Sequence, residues 1–290
     1  MISIVAPDKD TSVWVEAIHQ IAPEVHLSVW PEVDPASELL LCWNPPIDTF
    51  DKLPNLKAIY VMGAGIDAIQ SHPGLPHHLP IERLKTQQLA SDMFDYVFNC
   101  LETWRLGKHK YLTPDDWQPQ PYRQRKNLTV CVLGLGNIGS YVATQLHDMG
   151  YSVRGWSRSE KSLAGITTYH DSENLNAAVK SSDALVCLLS LNEATRDVMN
   201  ESLLSQLNKH SCVINVARGE HLVEDDLISV LNGPVEHAFL DVFRTEPLPN
   251  NHPFWTNKHI SITPHIASLT DPHSAAVEIV DFYHKLINDA

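Results

Sequence analysis

The chain has 290 residues, enough for about two domains with full cores. It carries 21 Lys plus Arg against 35 Asp plus Glu, a formal charge of −14, which argues against nucleic acid or an anionic membrane surface as a partner, since both recruit a basic face. With 43% hydrophobic and 19% charged residues it reads as globular, the longest plain apolar run (184–189) is far too short to span a membrane, and MISIVAPDKD lacks the basic-then-apolar layout of a secretory leader.

Short apolar runs at 2–5, 27–30, 39–43 and 58–62, each bounded by Pro, Asp, Asn or Gly, predict strands. A helical pattern follows at 91–106, then a polar, proline-bearing stretch at 113–127 that is the best linker candidate. Beyond it, strands are expected at 129–133, 152–156, 184–189, 212–215, 236–240 and 260–263. Helices are expected between them at 138–149, with Gly150 as its C-cap, and at 173–180, 201–207 and 224–231; a last helix covers 271–287. Continuous apolar strands separated by helices predict a parallel sheet covered on both faces, an α/β doubly wound architecture. Cys42, Cys100, Cys131, Cys187 and Cys212 are widely spaced and mostly lie in apolar runs, so buried reduced thiols in a cytoplasmic protein are expected. The sixteen histidines form no HExxH and no tight cluster with cysteine, so no metal is expected.

Gly134, Gly136 and Gly139 of GLGNIG fall directly after a strand and open a helix. In that context Gly134 permits the tight turn, Gly136 lets a pyrophosphate approach the backbone and Gly139 lets helix and strand pack closely. The amides of Asn137 and Ile138 at the helix start then face the phosphates. An NAD site would place an acid near the end of the next strand. There the chain has Ser157, eighteen residues past Gly139, followed by Arg158 and Ser159. A missing acid and a present arginine favour the 2′-phosphate of NADP(H), with NAD(H) possible.

Three further motifs end predicted strands: Asn215-Val216-Ala217-Arg218-Gly219, then DVFRTEPLP from Asp241 to Pro249, then ITPHIA, which carries His265. In an open parallel sheet, ligands bind outside the carboxyl ends of the strands, so one crevice can collect all three. Reducing a 2-keto acid needs an anchor for the carboxylate, polarisation of the ketone and a proton for the new alkoxide. The arginine fork serves the first two, and histidine paired with a carboxylate serves the third.

With GLGNIG, NVARG, DVFRTEPLP and ITPHIA in order, the chain resembles the D-isomer-specific 2-hydroxyacid dehydrogenases over nearly its whole length. CWNPP at 42–46, MGAGIDAI at 62–69, DDWQP at 115–119, GWSRSEK at 155–161 and LVEDDL at 222–227 make it similar to their glyoxylate/hydroxypyruvate reductase A branch. The resemblance implies that Arg218 binds substrate carboxylate and carbonyl, His265 donates the proton with Glu246 as partner, and Asp241 contacts the nicotinamide carboxamide. It implies that Ala217 lies on the cofactor side, and that Ala64 and Gly65 offer backbone amides to the carboxylate. It also implies a smaller flavodoxin-like α/β substrate domain over 1–92, completed by 269–290, a dinucleotide-binding Rossmann domain over 93–268, and a homodimer with the site in a closing cleft.

Three departures from the family pattern stand out. Ser190 replaces a usual proline, which bears on the adenine-side wall; 89–93 lacks a usual glutamate; and the chain stops soon after its last helix, where relatives usually cross the substrate domain again. Trp43, Met62, Met93 and Trp117 are pocket or core candidates. The expected activity is NADPH-dependent reduction of small 2-keto acids such as glyoxylate and hydroxypyruvate. A lactate-type dehydrogenase and a non-catalytic dinucleotide-sensing corepressor or scaffold are the alternatives.

Overall fold

The computed structural model describes residues 1–111, 118–119, 121–231 and 233–288. In chain order, the first elements are β1 (Ile2–Val5), α1 (Ser12–Ile21), β2 (Leu27–Val29), β3 (Leu39–Cys42), β4 (Ala58–Val61), α2 (Asp67–Gln70), β5 (Ile81–Arg83) and α3 (Gln87–Arg105). Then come β6 (Thr129–Leu133), α4 (Asn137–Asp148), β7 (Ser152–Ser157), β8 (Thr167–His170), α5 (Leu175–Val179), β9 (Ala184–Cys187) and α6 (Glu201–Leu204). The last are β10 (Ser211–Asn215), α7 (Glu224–Val230), β11 (Val235–Leu240), β12 (Ile260–Ile262) and α8 (Pro272–Asn288). The chain divides into two compact units, one of Met1–Leu89 with the segment from Thr270 onward, the other of Ala90–Leu269.

The first unit holds a parallel sheet in the order β2-β1-β3-β4-β5, the flavodoxin-like arrangement. Its central strands β1, β3 and β4 are buried at every residue, whereas the edge strands β2 and β5 are half-exposed throughout, as a sheet covered on both faces requires. Helix α8 buries Ala275, Ala276, Ile279, Val280 and Tyr283, a stripe at helical spacing, and packs on α1. It is tied further by the Tyr60 hydroxyl, which donates to Glu278 at 3.3 Å, and by the N-terminal amine, which donates to the Tyr283 hydroxyl.

The second unit is a parallel sheet in the order β12-β11-β10-β9-β6-β7-β8. The chain leaves β6 in one direction through β7 and β8, then resumes on the other side with β9. The order therefore reverses beside β6, the place where an open α/β sheet leaves a crevice for ligands. Alternate residues feed the two faces: Cys131, Leu133, Leu185 and Val213 enter one core cluster, Val130, Val132, Val186 and Ile214 the other. All five cysteines are buried and free, and burial pushes the thiols of Cys42, Cys100, Cys131 and Cys187 up to about 12.

Several local expectations change. Helix α3 starts at Gln87 instead of 91, because Thr86 Oγ1 accepts the Leu89 amide at 3.4 Å and caps it. Helix α6 ends at Leu204 because the next amides, Gln206 and Leu207, turn back three residues to Leu203 and Leu204 and tighten the last turn. In the stretch 173–180, a short 3₁₀ turn over Ser172–Asn174 precedes the shorter α5. Helices α1 and α2 and the edge strands β5 and β8 were not foreseen; three or four residues with mostly half-exposed side chains leave little apolar signal in either strand. Part of the expected linker at 113–127, with Trp117 and most of DDWQP, lies outside the described residues, as does Ala290. Its described end does not separate the units. The Arg123 amide donates to the Arg105 carbonyl at 3.0 Å, and the Arg123 side chain pairs with Glu236 at 2.8 Å, all within the second unit.

Candidate active site

The glycine turn is built by crowding on one side and space on the other. Gly134, at φ +99°, donates its amide to the Trp156 carbonyl at 2.7 Å. A Cβ on Gly139 would sit 1.7 Å from the Gly134 carbonyl oxygen, so α4 can lie on the turn only with glycine there. A Cβ on Gly136 would meet nothing within 4 Å. The first helical amide to find a backbone acceptor is that of Ser140, to Gly136 at 2.9 Å. Those of Gly136, Asn137 and Ile138 have none among the described residues and lie at or near the surface. At the end of β7 the buried Ser157 hydroxyl donates to the Ser159 carbonyl at 2.7 Å, closing a turn whose apex is the exposed Arg158. That guanidinium has no acceptor among the described residues.

Asn215, fully buried at the end of β10, folds the loop that carries Arg218. Its Nδ2 donates to the Arg218 carbonyl at 2.9 Å, and its Oδ1 accepts the Ala217 amide at 3.3 Å. Arg218 is half-buried, and its Nη1 donates to the Ala217 carbonyl at 2.7 Å. Gly219 then presses against the chain after β11, where a Cβ would lie 1.9 Å from the Phe243 carbonyl carbon. The arginine loop and the loop with Glu246 are thereby locked together.

Asp241, only 1% exposed, organises the histidine loop. Its Oδ1 accepts the Thr263 hydroxyl at 2.6 Å and the Ile266 amide at 2.8 Å, its Oδ2 accepts the Ala267 amide at 2.9 Å, and its carbonyl accepts the His265 amide at 2.8 Å. Because the Thr263 proton goes to Asp241, Tyr96 of α3 must donate its own to Thr263 Oγ1, at 2.5 Å. The loop holds His265 at φ +56°, a left-handed conformation that a residue other than glycine seldom adopts. His265 Nδ1 lies 2.8 Å from Glu246 Oε2, and both side chains are open to solvent, at 40% and 37%. Glu246 Oε1 accepts the Phe243 amide at 2.9 Å. Partial burial pushes the Glu246 carboxyl up, but the His265 bond, the Phe243 amide and the charges of His265 and Arg218 outweigh it, leaving the group below the usual carboxylate range.

The second unit thus brings Arg218, Asp241, Glu246 and His265 to the carboxyl ends of β10, β11 and β12, the sheet edge to which the glycine turn after β6 also belongs. Ala64 and Gly65 lie in the first unit, in the half-buried turn after β4. Arg244, within the same motif as Glu246, is structural: its Nε donates to the Leu222 carbonyl at 2.8 Å and its Nη2 pairs with Asp197. Met62 and Met93 are buried core residues. The Ser190 carbonyl accepts from Thr195 Oγ1 at 2.8 Å in a turn closed by side chains. Asn215, Thr263 and Tyr96 were not anticipated. Asn215 and Thr263 lie inside the NVARG and ITPHIA motifs, where a polar residue at a strand end is the signal that could have flagged them; Tyr96 left no sequence signal.

A family model for the NAD-binding domain of D-isomer specific 2-hydroxyacid dehydrogenases matches residues 100–267. The chain belongs to this family. Among its relatives, the glyoxylate/hydroxypyruvate reductase A of Yersinia enterocolitica is 36% identical over 281 residues, covering 92% of this chain and 88% of that one. A D-isomer specific 2-hydroxyacid dehydrogenase from Xanthobacter autotrophicus Py2, solved with NADPH and MES, superposes with a TM-score of 0.94 at 32% identity, covering 99% of this chain and 95% of that one. The NADPH-dependent glyoxylate/hydroxypyruvate reductase of Sinorhizobium meliloti, solved with NADP and sulfate, gives 0.91 at 27% identity, covering 99% and 95%. As a 2-hydroxyacid dehydrogenase, the chain pairs a Rossmann sheet with the smaller flavodoxin-like one described above.

Proposed function

We propose that this dehydrogenase reduces glyoxylate and hydroxypyruvate to their 2-hydroxy acids with NADPH. The observation that carries the chemistry is the His265–Glu246 pair at 2.8 Å beside Arg218. Relatives named glyoxylate/hydroxypyruvate reductase A and relatives solved with NADPH or NADP support the choice of substrate and cofactor. The residues present fit that cofactor. The unobstructed face over Gly136 and the unbonded amides of Gly136, Asn137 and Ile138 suit a pyrophosphate, and Ser157, Arg158 and Ser159 suit a 2′-phosphate. When bound there, NADPH supplies the hydride.

Arg218 orients the substrate by its carboxylate and polarises the carbonyl oxygen, and, as the family resemblance implies, the Ala64 and Gly65 amides are donors to the carboxylate. Glu246 engages Nδ1 of His265, which leaves the transferable proton at Nε2, where it passes to the carbonyl oxygen as that oxygen becomes an alkoxide. Asp241 sets the backbone that presents His265. As the family resemblance implies, Asp241 would meet the nicotinamide carboxamide and Ala217 would lie on the cofactor side; among the described residues Asp241 Oδ2 accepts one bond, from the Ala267 amide. The working form is proposed to be a cytoplasmic homodimer; light scattering checks the assembly.

The test is a spectrophotometric panel of glyoxylate, hydroxypyruvate, pyruvate and phenylpyruvate with NADPH and with NADH. Fast oxidation of NADPH by the first two is expected, and Arg158→Ala should weaken NADPH more than NADH. Turnover of pyruvate alone would move the assignment to a lactate-type enzyme, and no turnover at all would favour a dinucleotide sensor. An NADH preference would overturn the reading of Arg158.

A further inference from the structure

The turn after β4 owes its shape to a side chain from the neighbouring strand. Two successive carbonyls of this turn are bound from the β5 side: that of Gly63 accepts the Leu84 amide at 3.3 Å, and that of Ala64 accepts Arg83 Nη1 at 2.9 Å. Cis peptides occur among the described residues only at Trp30-Pro31 and Glu246-Pro247, so both peptide units here are trans. In a trans peptide the N–H points opposite to the C=O. The Ala64 amide, which shares a peptide with the Gly63 carbonyl, therefore points away from β5. So does the Gly65 amide, which shares one with the Ala64 carbonyl. Neither has an acceptor among the described residues.

Arg83 is half-buried and makes no ion pair with the adjacent carboxylate among the described residues: Glu82 Oε1 is engaged by Lys85 at 2.7 Å and by the Arg83 backbone amide at 3.0 Å, while the Arg83 charge acts on Glu82 only at longer range. On the other flank the Trp43 ring fills the space over Gly63, where a Cβ would come within 2.7 Å of it, and Lys9 Nζ stands 4.6 Å from the centre of that ring. The turn is thus held between an arginine and an indole, and a lysine stands over the indole ring.

We infer that Arg83 is a positioning residue for substrate: by binding the Ala64 carbonyl it aims the Ala64 and Gly65 amides together as a carboxylate-binding pair. It also polarises the peptide whose N–H is the Gly65 donor, because a peptide that accepts a charged hydrogen bond donates a stronger one. The guanidinium acts through the peptide from the side opposite the anion, so it does not itself touch the substrate. This inference rests on the reading above that the 64–65 turn takes the 2-keto acid's carboxylate.

Arg83→Met and Arg83→Lys, each saturated with NADPH, are assayed with glyoxylate and with its neutral methyl ester. NADPH affinity is read by fluorescence and integrity by thermal melting. For Arg83→Met, KM for glyoxylate should rise about tenfold or more, the scale of one hydrogen bond to a charged group, with kcat changed less than about threefold. The methyl ester should be affected much less, and NADPH affinity should hold. Arg83→Lys, which keeps the charge and one donor, should recover part of the glyoxylate KM and serves as the readout where the methionine variant melts early. An active wild-type enzyme with an unchanged glyoxylate KM in both variants would overturn the inference, as would equal losses for acid and ester. A wild-type enzyme inactive on all 2-keto acids would instead overturn the functional reading.

Discussion

Replacing Thr263 with valine should cost more stability alone than its pairwise context allows by addition. Thr263 Oγ1 is a relay: it donates to the buried Asp241 carboxylate at 2.6 Å and accepts from the Tyr96 hydroxyl at 2.5 Å. Valine has nearly the same volume, so no cavity forms and the change reports the hydrogen bonds alone. The bond to the charged group is worth ~1.5–3 kcal/mol, and the Tyr96 hydroxyl loses its acceptor, at a cost of about 1 kcal/mol. The second figure sits at the low end because the Cys100 thiol beside Tyr96 is a weak alternative partner. Thr263→Val should therefore destabilise by about 2.5–4 kcal/mol, and Tyr96→Phe by about 1 kcal/mol. In the double variant no hydroxyl is orphaned, so its loss should be about 1 kcal/mol smaller than the sum of the singles. Urea unfolding of the four proteins measures the cycle, provided that the slope with denaturant stays constant. Turnover should fall in parallel with local loosening, since Asp241 also holds the amides of His265, Ile266 and Ala267. Strict additivity, within ~0.5 kcal/mol, would refute the relay.

Glu246→Gln keeps an acceptor for the Phe243 amide but removes the charge beside His265; kcat should drop by about 10²-fold with NADPH binding intact, and an unchanged kcat would remove Glu246 from the mechanism. Gly139→Ala drives a Cβ into the Gly134 carbonyl oxygen, 1.7 Å away, so it should destabilise by ~3 kcal/mol or more, the upper end of overpacking, and weaken NADPH at least about tenfold by titration. At acid pH, Glu102 and Glu236 decide. Burial pushes each carboxyl up, but Arg105, Arg125 and Tyr151 around the first, and Lys110 and Arg123 around the second, overcome it and hold both at about 2. A carboxyl depressed on folding stabilises above its ordinary value near 4.5 and loses that contribution as pH falls toward 2. Melting temperature should therefore fall through that window, and Glu102→Gln should flatten the fall, as calorimetry between pH 6 and about pH 2.5 would show.

The parts legible in the sequence are those where backbone sterics dictate residue type. GLGNIG could be read because only glycine survives 1.7 Å from a carbonyl oxygen at position 139, and strands such as β9 and β10 could be read because burial on both faces leaves an unbroken apolar run. Arg218, Glu246 and His265 stood out as charged residues where such runs stop. Tyr96, Thr263 and Arg83 did not, because each acts across a large sequence separation, Tyr96 on Thr263 at 167 residues and Arg83 on Ala64 at 19. A hydroxyl or guanidinium whose partner is so distant looks, in sequence, like any polar surface residue. Edge strand β8 was lost for a different reason: half-exposed to exposed residues over four positions carry no apolar period.

The loops that carry the site residues share one device. A parallel sheet delivers the ends of its strands to one edge but does not determine the conformation of the loops that leave them, and here each loop is closed by a polar side chain turned back on the backbone. Asn215 folds the arginine loop, Asp241 the histidine loop, Ser157 the Arg158 turn and Arg83 the turn at Ala64. Glu246 does so as well, through the Phe243 amide, while also holding His265. Such bonds explain how exposed groups can be held in place: the charged ends of Arg158, Glu246 and His265 face solvent, where pairing alone contributes little, yet the backbone beneath each is held by a buried or half-buried bond. They also explain how a chain of net charge −14 can bind anions. Positive charge is needed only within a few ångströms of each anion, since salt screens more distant charges over roughly 8 Å. A loop closed by a buried polar bond can present one guanidinium or a pair of amides at that range, whatever the sign of the surface around it.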